Sequence, residues 1–186
     1  MKNKIFFIAD THFFHKNIIT YCNRPFNDEV SMNEFIIEKW NTTIDKDCVV
    51  FHLGDVAANL QGRVEELKKI IDRLNGTKYL IRGNHDHLTN EEYKNIGFLN
   101  VYDYFKLNDL FLTHVPAVKE YKAQGHSYSK MFSSLSKEQH MFNLFGHVHD
   151  KNVKTEFGYN CSIENLQYTP ISLEKILRLK EVNARN

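Results

Sequence analysis

The sequence predicts an α/β protein. Short apolar runs dense in β-forming residues alternate with stretches of helical periodicity along the chain. Five of those runs lead to a side chain of a type that binds metal ions, which suits strands of a sheet whose carboxyl ends share one edge. No repeat, low-complexity segment or Pro/Gly/Ser-rich linker interrupts the 186 residues, a length that fits one domain over residues 1–186 with a sizeable core.

The elements follow in order. Ile5-Phe6-Phe7-Ile8 is brief and rich in β-formers, so it reads as a buried strand. Ser31-x-x-Glu34 has the form of a capping box, and Met32, Phe35, Ile36 and Trp40 then fall on one helical face. Cys48-Val49-Val50-Phe51 is a second strand. Val64, Leu67, Ile70, Ile71 and Leu74 make an apolar helical stripe that Gly76 stops. Lys78–Ile81, Leu110–Thr113 and Met141–Phe145 are three further strands, and a last helix after Ser172 points Leu173, Ile176, Leu177 and Leu179 inward. The long segment 115–139, with Lys119, Tyr121, Lys122, Tyr128 and Lys130, reads as a substrate lid, because long loops in compact domains tend to be functional. His126 and His140 belong with it.

Bulk composition narrows the class. A hydrophobic share of 42% and a charged share of 25% describe an ordinary globular chain. A net charge of +1 argues against a broad nucleic-acid footprint. Cys22, Cys48 and Cys161 form no C-x-x-C pair, which suits a reducing compartment and small buried side chains. The apolar run before Asp10 is too short for a signal-peptide core, and no stretch reaches membrane-spanning length. The expected location is the cytoplasm, without a membrane partner.

Seven side chains carry the chemistry. Asp10 and His12 form D-x-H, Asp55 follows Gly54, Asn84 sits in Gly83-Asn84-His85-Asp86, His114 ends a strand, and His147 and His149 lie in G-H-x-H. Alone, D-x-H is also a capping pair and Asn-His is also turn chemistry. In this order, and at strand ends, they describe a pocket for two divalent cations. Such a pair, about 3.5–4 Å apart, clamps the attacking and leaving oxygens of an in-line phosphoryl displacement. A shared carboxylate must offset the repulsion between the cations, and Asp55 is the candidate. Mixed nitrogen and oxygen donors suit Mn, Fe or Zn better than Ca or Mg. A bridging water or hydroxide, its pKa lowered by both ions, is the expected nucleophile. His85 is placed to protonate the departing oxygen as general acid, with Asp86 orienting it.

These motifs resemble those of the calcineurin-like metallophosphoesterases, from Asp10 to His149. The resemblance implies a four-layer α-β-β-α sandwich and hydrolysis of phosphomonoesters or phosphodiesters. It also implies one ion on Asp10, His12, Asp55 and His149, and the other on Asp55, Asn84, His114 and His147. Protein phosphatases of that family carry G-D-x-x-D-R-G, whereas this chain runs Gly54-Asp55-Val56-Ala57-Ala58. The missing Asp and Arg make a phosphoprotein substrate the weaker reading. Asp10-Thr-His-Phe-Phe-His15 with Asn23-Arg24-Pro25-Phe26 is similar to a small, uncapped bacterial and phage subgroup.

The remaining polar residues divide. His15 and Arg24 are expected to contact the substrate phosphate or base, because arginine grips phosphate with two donors. His52 is expected to be a hydrogen-bonded core histidine and His87 a surface one, while Asn160 lies on a late strand near the site. The resulting expectation is a phosphodiesterase or phosphatase acting on a nucleotide-like or other small phosphate ester. The alternatives are a nuclease on single-stranded nucleic acid and a non-catalytic scaffold stabilised by metal.

Overall fold

The computed structural model describes residues 4–117, 141–151 and 158–183. The first half is a run of strand–helix–strand units. Strand β1 (Ile5–Ile8) leads through a short helix α1 (Lys16–Tyr21) and a long helix α2 (Glu29–Thr43) to β2 (Val49–His52). Helix α3 (Val64–Arg73) links β2 to β3 (Thr77–Ile81), and α4 (Asn90–Asn95) links β3 to β4 (Phe98–Tyr102). These four strands pair in parallel in the order β4-β3-β2-β1, as helical crossovers allow. A hairpin of β5 (Phe105–Leu107) and β6 (Leu110–Leu112) opens a second sheet, which β7 (Phe142–Phe145) and β8 (Gly158–Asn160) extend in parallel. The chain returns to the first sheet as β9 (Ile171–Ser172), antiparallel to β1, and ends in α5 (Leu173–Asn183).

Strand periodicity builds two cores at once. Successive side chains of a strand face opposite ways. Phe6, Ile8, Val50 and Leu80 join Met32, Ile36, Trp40, Leu67 and Ile71 beneath the helices. Phe7, Ala9, Phe51, Leu53 and Ile81 face the other way and pack on Leu110, Leu112, Phe142 and Leu144 of the second sheet. The outer face of that second sheet carries a smaller cluster of Phe111 and Met141 with Tyr104 and Ala117. The fold is therefore a sandwich of two sheets flanked by helices, in line with the architecture expected from sequence. No helix among the described residues is long and apolar enough to cross a membrane. The expected lid beyond Ala117, with His126 and His140, lies outside the described residues.

Two local expectations fail for identifiable reasons. The α2 cap is Asp28, whose side chain accepts from Ser31 N at 2.7 Å, so the helix begins before Ser31 and no Ser31–Glu34 box forms. Leu177 is 39% exposed because α5 lays a narrow stripe, centred on the fully buried Ile176, against β9 and β1. Other expectations match: Gly76 adopts φ +85 after α3, where a Cβ would crowd Ile44 and the Cys48 carbonyl. His52 is buried at the end of β2, as expected of a core histidine.

His52 also sets a pH dependence. The Thr11 hydroxyl donates to Val56 O at 2.7 Å, so the His52 Nε2–H must donate to Thr11 Oγ1 at 3.0 Å. Nδ1 is then a bare, buried nitrogen without a partner. Burial lowers the pKa of this imidazole from 6.5 to about 3. Between those values the unfolded chain holds a proton that the folded one lacks, so stability falls as pH drops through the window. The slope from this group approaches about 1.4 kcal/mol per pH unit. Urea titrations between pH 6.5 and 4.5 should show wild type losing stability more steeply than His52→Gln by that amount. Equal slopes would mean that the imidazole takes its proton inside the fold.

Candidate metal centre

Loops leaving the carboxyl ends of strands in both sheets meet at one edge of the sandwich. Asp10 and His12 follow β1, Asp55 follows β2, Asn84 follows β3, His114 follows β6, and His147 and His149 follow β7. The first two loops stay paired beyond their strands, through Asp10 N to Gly54 O at 3.0 Å, His12 N to Asp55 O at 3.1 Å and Phe13 N to Val56 O at 2.9 Å. Five of the seven expected donors sit at left-handed φ: Asp10 at 60°, His12 at 49°, Asp55 at 57°, His147 at 72° and His149 at 51°. Non-glycine residues held there store strain, and such residues cluster at functional sites.

The glycines of the motifs are spacers between these crowded loops. A Cβ on Gly54 would stand 2.5 Å from His114 Nδ1, and one on Gly146 would stand 2.5 Å from both Ala9 Cβ and Asp10 Oδ2. A Cβ on Gly83 would collide with Asp55 Oδ1 and the Asp55 nitrogen. G-D, G-N-H and G-H-x-H thus carry glycine for close approach as much as for turning.

The structure brings all seven expected donors together. Asp55 Oδ2 lies 3.5 Å from His12 Nε2 on one side and 3.4 Å from His114 Nε2 on the other. On the His12 side, Asp10, His12 and His149 present donor atoms within 4.8 Å of one another. On the His114 side, Asn84 Oδ1 lies 2.9 Å from His114 Nε2 and 2.8 Å from His147 Nδ1. Asp10, Asp55 and His114 form another such trio, so the two halves are contiguous. His12 is 1% exposed, yet neither ring nitrogen has a hydrogen-bond partner. A buried imidazole with both nitrogens unmet is costly on its own, and a cation coordinated there would remove the cost. The donor set is mixed nitrogen and oxygen, which suits divalent metal ions. Arrangement and chemistry both fit.

Protons and carboxylates compensate one another in this cage. Burial raises Asp10 to about 6. Burial also opposes ionisation of Asp55, but His114 and His12 beside it and the His85 N–H donating at 2.9 Å hold its pKa well below the usual carboxylate range. His114 is raised to about 9, the pull of Asp55 outweighing burial. Burial lowers His12 well below its ordinary value.

The residues expected to act on substrate divide. His85 is exposed at the mouth of the cage, its ring 5.4 Å from that of His12. His15 is half-buried beside it, 5.2 Å from the His12 ring and 6.3 Å from the His85 ring, with Nδ1 unpartnered. Asp86 does not orient His85. Its carboxylate accepts from Asp55 N at 2.8 Å, Val56 N at 3.0 Å, Gly83 N at 2.8 Å and Tyr93 Oη at 3.1 Å, and so ties two loops together. Arg24 does not face substrate either. It is 4% exposed, and its guanidinium donates to Asp10 O at 2.8 Å, Thr11 O at 3.0 Å and Glu164 Oε1 at 2.6 Å. The arginine braces the first loop from behind. His52 is bonded to Thr11, His87 is exposed, and Asn160 donates to His149 O at 2.7 Å.

Sequence reasoning missed Glu164. Its carboxylate, 7% exposed, accepts from Arg24 and lies 3.1 Å from His149 Nδ1. Burial opposes the His149 charge, but contacts with Cys22, Glu164 and Asp10 raise its pKa to about 10. Ser162-Ile163-Glu164-Asn165 carries no motif, so nothing local marked it.

Comparisons with known proteins bear on the family and the fold. The model of the calcineurin-like phosphoesterase superfamily domain matches residues 4–162. An uncharacterized protein of Methanocaldococcus jannaschii is 34% identical over 187 residues, spanning 96% of this chain and 92% of that protein. The gene 66 protein of Mycobacterium phage L5 is 35% identical over 82 residues, 43% of this chain and 38% of that protein. The crystal structure of a protein of unknown function from Aquifex aeolicus superposes with a TM-score of 0.76 at 25% identity, covering 96% of this chain and all of that one.

The glycine contacts make a steric prediction. Gly83 and Gly146 have ordinary φ, so only space excludes a methyl group. Gly83→Ala and Gly146→Ala should each destabilise the fold by about 1–3 kcal/mol in urea titrations. Unchanged midpoints would show that the loops can separate freely.

Proposed function

The chain belongs to the calcineurin-like phosphoesterase superfamily, and from that premise we propose that it is a binuclear-metal-dependent phosphohydrolase of small phosphodiesters, nucleotide-like ones included. The observation that carries this reading is the position of Asp55, whose Oδ2 lies between the His12 and His114 nitrogens at nearly equal distances. One carboxylate oxygen between two nitrogen-bearing half-sites is what a shared ligand of two cations requires. Asp10, His12, Asp55 and His149 would hold one ion, and Asp55, Asn84, His114 and His147 the other, with manganese, iron or zinc the candidates. When bound, the ions supply Lewis-acid activation of the phosphoryl oxygen and of the attacking water.

The chain's own residues do the rest. His85 stands at the mouth, where its imidazole can give a proton to the departing oxygen. His15 offers a ring nitrogen to a non-bridging oxygen from the same side. The arginines favour a diester over a dianionic monoester. Arg24 is committed to Asp10 O, Thr11 O and Glu164, and Arg82 to Asp86 O, Leu88 O and Asn90. Arg63 lies over the Phe14 ring and pairs with Glu29 and Glu66. A substrate with one negative charge asks least of a pocket near which these three arginines, among the described residues, are turned to structure. Three unpaired cysteines suit a cytoplasmic protein.

Manganese-loaded protein should cleave bis-(p-nitrophenyl) phosphate with a higher kcat/KM than p-nitrophenyl phosphate, and Asp55→Ala or Asn84→Ala should abolish turnover. His85→Ala should slow diesters with poor leaving groups by about 10²–10⁴-fold while sparing p-nitrophenolate release. A panel of nucleotides and cyclic nucleotides at fixed salt then identifies the substrate. Freshly metallated protein that hydrolyses no phosphate ester would refute the reading.

A further inference from the structure

Residues 160–164 form a seam between the two sheets. Ala9 N donates to Cys161 O at 2.8 Å and Ile163 N to Ala9 O at 3.1 Å, on the first-sheet side. Cys161 N donates to Phe145 O at 2.7 Å, on the second-sheet side. The seam therefore runs beside the ends of β1 and β7, the two strands that launch Asp10–His12 and His147–His149. Glu164 sits where these loops come together. Its Oε1 accepts from Arg24 Nε at 2.9 Å and Arg24 Nη2 at 2.6 Å, and it lies 3.1 Å from His149 Nδ1. Through Arg24 the carboxylate reaches the Asp10 and Thr11 carbonyls, 2.8 and 3.0 Å from the guanidinium.

We propose that Glu164 is a positioning residue for the half-site of Asp10, His12 and His149, acting on His149 directly and on the Asp10 loop through Arg24. Resting on the two-cation reading above, it adds the part that selects one half-site. A carboxylate at Nδ1 fixes the imidazole tautomer that leaves Nε2 as the free donor, and it strengthens that donor. The same oxygen anchors the guanidinium that pins the loop bearing Asp10 and His12. In the other half-site, His114 has a main-chain support instead, its Nδ1 lying 2.8 Å from the Leu53 carbonyl. His149 and His114 are thus supported differently, by a charged side chain in one case and by a neutral main-chain group in the other.

Metal binding to the metal-free protein, measured by calorimetry with manganese alone, tests this. Wild type should take up two ions. Glu164→Gln should weaken one of them about 10–100-fold and leave the other unchanged. His149→Ala should weaken the same ion, and Glu164→Gln with His149→Ala should lose less than the sum of the two single losses, because the part of Glu164 that acts through His149 is then already gone. Glu164→Asp should restore part of the loss. The electron paramagnetic resonance signal of a coupled manganese pair should give way to that of a single ion in Glu164→Gln. If the unpaired Arg24 prevents Glu164→Gln from folding, Arg24→Met with Glu164→Gln removes the charges together and should show the same selective loss. Wild-type uptake of two ions by Glu164→Gln, or full additivity with His149→Ala, would overturn the proposal. So would an equal loss in Cys22→Ala, since Cys22, His149 and Glu164 also lie within 4.8 Å of one another and would then be direct ligands. Failure of wild type to bind manganese would instead overturn the two-cation reading itself.

Discussion

Buried carboxylates that capture main-chain N–H groups hold this site in shape. Asp86 takes the nitrogens of Asp55, Val56 and Gly83, and so locks the loop after β2 to the loop after β3. Asp10 takes His147 N with both of its oxygens, joining the first sheet to the second, and Asp55 takes His85 N. Hydrogen bonds to an ionised acceptor are worth about 1.5–3 kcal/mol each, more than neutral ones. They set that gain against the left-handed backbone at Asp10, Asp55 and His147, which costs of order 1–3 kcal/mol per residue. The strain persists because the loops are held from several directions at once. It also explains why the donors appear only where both sheets end: no one loop could keep its shape alone.

The residues that the fold gathers into the cage were legible in the sequence, and residues that hold them in place were not. Each expected metal donor has a local signature: a strand just before it, a glycine beside it, or a second donor two positions away. Short runs dense in β-forming residues located β1, β2, β3, β6 and β7 to within a residue. β5, β8 and β9 offer no such run: Lys106 interrupts β5, Gly158 and Asn160 flank Tyr159 in β8, and β9 has two residues. Arg24 and Asp86 were read from chemistry alone, since an arginine near a phosphate pocket and a carboxylate beside a histidine each have an obvious role. Their partners decide otherwise, and those partners lie elsewhere in sequence: Glu164 is 140 residues from Arg24, and Asp55 is 31 from Asp86. The α2 start was misplaced for a related reason, because Asp28 and Ser31 are both good caps and only the fold chooses between them.

Formal charge gives the placement of Arg24 a further meaning. Of the seven donors, only Asp10 and Asp55 are anionic; the other five are neutral when they coordinate. Glu164 and Arg24 cancel each other just behind them, so their ion pair changes orientation without changing the charge of the cage. On the proposed reading, two divalent cations against two carboxylates leave the pocket positive by two charges. A phosphate ester and its attacking oxygen together supply the balance, and the pocket needs no arginine in front to attract them. An arginine facing the substrate would add charge that the cations already provide. Behind the loop, the same side chain fixes two carbonyls and a glutamate, which no cation in the cage could do.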